Sequence, residues 1–210
     1  MKLYIFTLLT LISITANAQF NWNKAVISLN DGTTLEGEAR LISQGRGFNK
    51  TSQKVRYRGE SSKEKKYDVK EVKSIIFTHE FIQEVDGMPI KKRSLDTFLP
   101  VDVKKYNGLV FMQEIVKDQL SLYGMPVKNY KSKISSDVFP MNLGEFNIIY
   151  IKKENTSARQ ITVLGLGGKI TDKRVADYLS DCPLMLEYIR AFEGNITAVD
   201  VVNHYNNNCK

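Results

Sequence analysis

Cys182 and Cys209 are the only two cysteines in this chain of 210 residues, and what they do depends on the compartment in which it folds. The N-terminus bears on that question. Lys2 supplies a positive start, an apolar run extends from Leu3 to Ile14, and Ala16-Asn17-Ala18 reads as a small-residue cleavage site. The run is shorter than the roughly 20 apolar residues of a membrane span, and no basic stop-transfer flank follows it. The expectation is a signal peptide over residues 1–18, cleaved between Ala18 and Gln19, and a secreted or periplasmic product. No cysteine stands just after that site, so no lipid anchor is expected there.

In an oxidising compartment an even number of cysteines fits one disulfide, here Cys182 with Cys209. Closing a loop of about 27 residues would stabilise the fold by about 3.5 kcal/mol on chain-entropy grounds. Two unpaired thiols are the alternative. A catalytic thiol is the third reading, but activating it takes a base, and His79 and His204 are the only histidines.

A hydrophobic share of 42% is ample for a packed core. The formal net charge is +7. Basic residues gather between Asn49 and Lys73, where Lys54, Arg56, Arg58, Lys63, Lys65 and Lys66 stand, and again at Lys91, Lys92 and Arg93. One reading is a solvated face of strands and loops. The other is a surface for an anionic partner such as a glycan. Glu60, Glu64, Asp68 and Glu71 dilute the first cluster, and Tyr57 and Tyr67 are expected to point inward rather than offer a stacking platform.

The segment from Asn23 to Ile42 reads as a hairpin turning at Asp31-Gly32, because both turn positions tolerate positive φ. Leu35, Gly37, Ala39 and Leu41 alternate with Glu36, Glu38 and Arg40, which gives one dry and one wet face. Val55 and Tyr57 alternate with Lys54, Arg56 and Arg58 in the same way. A strand, a tight turn near Val69–Val72 and another strand through Phe77 follow. This opening, "ISLNDGTTLEGEARLI … KVRYR … KYDVKEVKSIIF", resembles a small SH3-like or Sm-like β-barrel. That resemblance implies a fold and no activity, since the fold hosts many.

From residue 81 to about 168 the chain still reads as strand. A hairpin is expected to turn near Val116–Gln119, and two further strands flank the polar loop Asn155–Ser157. Pro89, Pro100, Pro126 and Pro140 argue against long helices. After Gly168 the period changes. Thr171 can cap one helix bearing Val175, Tyr178 and Leu179, and Asp181 a second bearing Leu184, Met185, Tyr188, Ile189 and Phe192, closed by Gly194. Thr197-Ala198-Val199-Asp200 reads as a capping box for a third. An antiparallel pair of the last two would bring Cys182 beside Cys209.

The expected class is α+β, predominantly antiparallel β, with a C-terminal helical segment of about three helices. The expected divisions are a signal peptide (1–18), a small barrel (19–80), an antiparallel β region (81–168) and the helical segment (169–210). Across its second half the chain, "VADYLSDCPLMLEYIR … VVNHYNNNC", resembles exported bacterial proteins of unknown function that end in a DCP…YN…C helical tail. The resemblance implies an exported β-rich fold and carries no catalytic group.

Motifs for chemistry are few. The glycines of "VLGLGGKIT" lack phosphate-loop spacing, so a structural strand-to-helix turn is expected there. "HEFIQ" begins like a zinc-protease helix, but Gln83 stands where the second histidine must be, and His79 reads as a strand-end residue. Glu36 and Glu38 share a face and read as a solvated stripe. The sequons at Asn49, Asn155 and Asn195 matter only in a eukaryotic secretory pathway. No cofactor or metal is expected. The leading expectation is a non-catalytic binding or interaction module of the cell envelope. Its partner would be an envelope protein or an anionic glycan, not nucleic acid. The alternative is a hydrolase of envelope or extracellular glycan or peptide material, which needs carboxylates converging on a cleft.

Overall fold

The computed structural model describes residues 22–44, 51–60, 63–85, 88–126, 146–163, 175, 177–191 and 196–209. Its strands run β1 (Asn23–Leu29), β2 (Thr34–Gln44), β3 (Thr51–Arg58), β4 (Lys65–Asp68), β5 (Val72–Val85), β6 (Met88–Val103), β7 (Gly108–Val116), β8 (Leu120–Pro126), β9 (Phe146–Lys153) and β10 (Arg159–Val163). Two helices close the chain, α1 (Pro183–Ala191) and α2 (Ala198–Asn208). This is the expected α+β class. The strands form one antiparallel sheet in the order β10-β9-β8-β7-β6-β5-β1-β2-β3-β4. Residue 80 lies inside β5, so the sheet is continuous across the expected boundary between barrel and β region.

Chemistry already visible in the sequence sets the local geometry. Gly32 takes φ 89° in the β1–β2 turn, and Asp31 Oδ1 accepts from the Thr33 N–H at 2.8 Å. The alternation in β2 and β3 turns Ala39, Leu41, Val55 and Tyr57 to an inner face that is buried. The Tyr57 ring runs beneath Gly37, and its hydroxyl donates to the Glu36 carbonyl at 2.8 Å. A Cβ at Gly37 would stand 2.5 Å from the Arg58 carbonyl oxygen and 2.9 Å from Tyr57 Cε2, so only glycine fits that crossing.

The sheet curls enough that β3 touches β7 although four strands separate them in the sheet order. Inside the curl lies one core, with Ile27, Val55, Ile75, Phe98 and Phe111 at its centre. Phe77 and Phe98 meet there edge to face, with ring centroids 5.4 Å apart. Beyond β7 both faces of the sheet are covered. Leu120, Leu122, Ile149, Ile151 and Ile161 pack against the helical tail. Val101, Val110, Met112, Tyr123, Ile148 and Tyr150 form a third core on the opposite face. Strands buried on both faces are near-continuous apolar runs, which is how "NIIYI" reads.

In the tail, Val175, Asp177 and Tyr178 are helical and buried Leu179 stands in a bend, while the remainder of the first expected helix lies outside the described residues, as do Phe192, Gly194 and the "LGLGGKIT" turn. The capping box forms: Thr197 Oγ1 accepts from the Asp200 N–H, and Asp200 accepts from the Thr197 N–H, each at 3.1 Å. Cys182 and Cys209 are bonded across the antiparallel pair, with Cα atoms 5.5 Å apart. Neither Cys182 nor Cys209 is therefore a nucleophile. Asp181 is not engaged as the expected cap. Its carboxylate instead takes Lys153 Nζ at 2.5 Å and the Tyr205 hydroxyl at 2.7 Å, which ties the tail to β9.

Candidate functional site

β5 and β6 continue past their neighbours. β1 pairs with β5 only as far as Phe77, and β7 with β6 only from Phe98 onward, whereas β5 and β6 pair with each other out to Val85 and Met88. Residues 78–85 and 88–97 therefore form a two-stranded arm. It carries four of the five exposed large hydrophobic residues found among the described residues: Ile82, Met88, Ile90 and Leu95, with Ile82 68% exposed. A two-stranded ribbon in water is marginal without something to pack on, so this exposure makes the arm a candidate interaction surface.

The outer face of the arm has a definite pattern. Cross-strand partners there are Thr78 with Leu95, Glu80 with Arg93, Ile82 with Lys91, and Glu84 with Pro89. The β5 lane is acidic and the β6 lane basic, and an exposed apolar residue sits in each. Lys24 on β1 reaches Glu80 at 3.3 Å, and Arg93 donates to Thr78 Oγ1 at 3.3 Å.

Beside the arm lies a trough of about 1010 Å3. Its floor is β1 and β2 around Val26 and Gly37, one wall is the base of the arm, and Gly59-Glu60 after β3 forms the other. It gathers the carboxylates of Glu36, Glu38, Glu60 and Glu80 against the cations of Lys24 and Arg93. Glu80 is paired to Lys24, and Glu38 to Arg58 at 2.6 Å. Glu36 and Glu60 have no ion pair among the described residues, which leaves the trough with an excess of negative charge. The sequence reading of Glu36 and Glu38 as a plain solvated stripe missed this hollow, because its walls come from β3 and from the arm.

The basic residues do not merge into one patch. Lys54, Arg56 and Arg58 line one lane of β3, Lys65 and Lys66 lie on β4, and exposed Lys63 stands just before β4. Glu64 binds Arg56 at 2.9 Å and Arg40 at 3.9 Å. Arg40 and Arg58 lie against the Trp22 ring, 4.7 and 4.4 Å from its centroid. Lys91, Lys92 and Arg93 belong to the arm, and β5, β1 and β2 separate them from β3 in the sheet order.

His79 is not a strand-end residue but sits within β5, on the inner lane at the root of the arm. Its Nε2 lies 3.1 Å from Asp96 Oδ2, and Asp96 Oδ1 accepts from Gln113 Nε2 at 3.2 Å. Gln113 is buried, and this polar group closes the open end of the apolar core where Phe77 and Phe98 stop. Among the described residues no three metal-ligating side chains converge, and no helix is long and apolar enough to cross a membrane.

Three carboxyls among the described residues titrate away from their usual range, and one of them, Asp31 in the β1–β2 turn, is lowered by hydrogen bonds from the Thr33 backbone and side chain. Burial raises the carboxyl of Asp181, but the hydrogen bonds from Lys153 and Tyr205 and the Lys153 charge outweigh it and hold the group below its ordinary value. Burial raises Glu114 on β7, and the charge of Lys117 only partly offsets this.

The arm itself escaped the sequence reading. The signal for it was the dipeptide Asp86-Gly87, the same two residues that turn the first hairpin, standing between strand-like segments. Comparison with known proteins gives no match to any protein family, curated protein or solved structure.

Proposed function

We propose that this protein is an exported, non-catalytic interaction module of the bacterial cell envelope, working through the arm and the trough beside it. One observation carries the reading: among the described residues, most of the exposed large hydrophobic ones stand on a projecting ribbon whose two lanes bear opposite charges. Apolar groups with flanking charges supply affinity and orientation at a protein interface. The signal-like N-terminus and the Cys182–Cys209 bond agree with export into an oxidising compartment.

The test is capture from an envelope extract by the mature chain and by a form with a shortened arm, at low and high ionic strength. The full chain retains a defined partner, and the shortened form loses it. Equal retention by both forms defeats the reading. Intact mass of the exported protein is expected to begin at Gln19, and a mass beginning at Met1 contradicts export.

A second reading has one observation in its favour. Glu60 and Glu80 stand on opposite walls of a concave hollow, as the two carboxylates of a glycoside hydrolase do. Release of new reducing ends from purified envelope glycan, abolished in Glu60→Gln, would establish it in place of the first.

A further inference from the structure

The arm and the trough are complementary to each other. Lys91 and Arg93 form the exposed basic lane of β6 on the outer face, Lys92 is exposed on the opposite face opposite Phe81, and Ile82 and Leu95 are exposed beside Lys91 and Arg93. The trough carries the carboxylates of Glu36 and Glu60 without ion pairs among the described residues, over a floor that includes Val26. Within one molecule the two cannot satisfy each other fully, because the arm is itself a wall of the trough. Between two molecules they can.

We propose that two copies of this chain associate by exchanging arms, the basic lane of each lying in the acid-lined trough of the other. The proposal rests on the interaction-module reading and names its partner as a second copy. The contact is isologous: one surface contains both the cationic strand and the anionic receptor, so a two-fold axis satisfies both at once and closes the assembly. Ile82 and Leu95 supply the apolar part of the contact. The acidic residues of the arm, Glu80 and Glu84, lie on the neighbouring β5 lane, and Glu80 is already paired with Lys24.

Alternative occupants of the arm are excluded by its charge balance rather than by its shape. An anionic lipid surface would face Glu80 and Glu84 together with the basic run. A free polyanion would face the same carboxylates. A partner with both signs, arranged in the same lanes, meets neither conflict.

Sedimentation of the mature protein at increasing concentration, at low and high salt, tests the proposal. A dimer is expected that dissociates as ionic strength rises, because the charges involved are exposed. Reversing the arm in a Lys91→Glu, Lys92→Glu, Arg93→Glu form, or the trough in a Glu36→Lys, Glu60→Lys form, should weaken self-association on the order of 100-fold or more. Every substituted side chain is exposed, and unchanged thermal unfolding of each form verifies that it folds.

Mixing the two forms is the decisive step. The acidic arm of one now meets the basic trough of the other, and the basic arm meets the acidic trough, so a heterodimer should reappear. A protein that stays monomeric at all concentrations, or reversed forms that dimerise as well as the original or fail to recover on mixing, overturns the proposal. Binding of the monomer to vesicles rich in anionic lipid, lost on reversing the arm, also overturns it. In that case the interaction-module reading survives with a different partner.

Discussion

Single residues show where this fold has no slack. Gly37 is one, because β3 approaches so closely that any side chain meets the Arg58 carbonyl and the Tyr57 ring. Gly37→Ala should destabilise the protein by about 1–3 kcal/mol through backbone displacement, read from urea unfolding. Of the shifted carboxyls, Asp181 and Glu114 act in opposite senses with pH. Asp181 titrates lower in the fold than in the unfolded chain. Its contribution is present above the ordinary carboxylate range, near 4 by typical values, and is lost as pH falls through the lower folded value. Asp181→Asn should therefore cost stability at neutral pH and nothing at the acid end. Glu114 is raised in the fold, so it favours folding only while protonated. That advantage disappears as pH rises and becomes a penalty at neutrality. Glu114→Gln should accordingly stabilise the protein at pH 7, with the gain vanishing below about pH 4. Melting curves of both variants across pH give the signs directly.

Among the elements, those with a core face and a wet face, or with a polar turn or a cap at their end, were legible in the sequence. The β1–β2 hairpin, β3, the β7–β8 turn and α2 each declared themselves by period, turn dipeptide or capping box. The helix pair also foretold the cystine, since antiparallel packing leaves Cys182 and Cys209 adjacent. The arm did not declare itself, because a ribbon with water on both faces needs no alternation. The unbroken charge of Lys91-Lys92-Arg93 is what such a ribbon looks like in one dimension. The trough was hidden for another reason: no segment contains it, and only the sheet order brings Gly59-Glu60 and Glu80 to the same hollow. The helical tail offers an element-scale test. Asn206 accepts from the Leu120 N–H at 2.8 Å and donates to the Leu120 carbonyl at 2.9 Å, holding α2 on the first residue of β8. Asn206→Ala leaves both groups of a buried residue without those bonds and should cost about 1–3 kcal/mol. Replacing both cysteines with serine should cost more, about 3.5 kcal/mol within a usual range of 2–5.

For the molecule as a whole, the buried cores and the proposed interaction surface are separated in space. The three cores lie in the curl of β1–β7 and on the two faces of the strands beyond it, whereas the distal arm buries little. A segment that packs on so little contributes little to global unfolding, however long it is. Glu80 and Arg93 are cross-strand partners. Removing residues 81–92 and joining Glu80 to Arg93 through Asn-Gly would therefore rebuild a hairpin with a favoured turn. The root of the arm, with His79, Asp96 and Gln113, stays in place, so the apolar core remains closed. Unfolding free energy should change by less than about 1 kcal/mol, since what is lost is mostly solvent-exposed ribbon. Self-association should disappear, because Lys91 and Ile82 leave with the segment. A large loss of stability in the shortened form would mean that the arm is a structural member of the fold, and its exposed apolar residues would need another explanation.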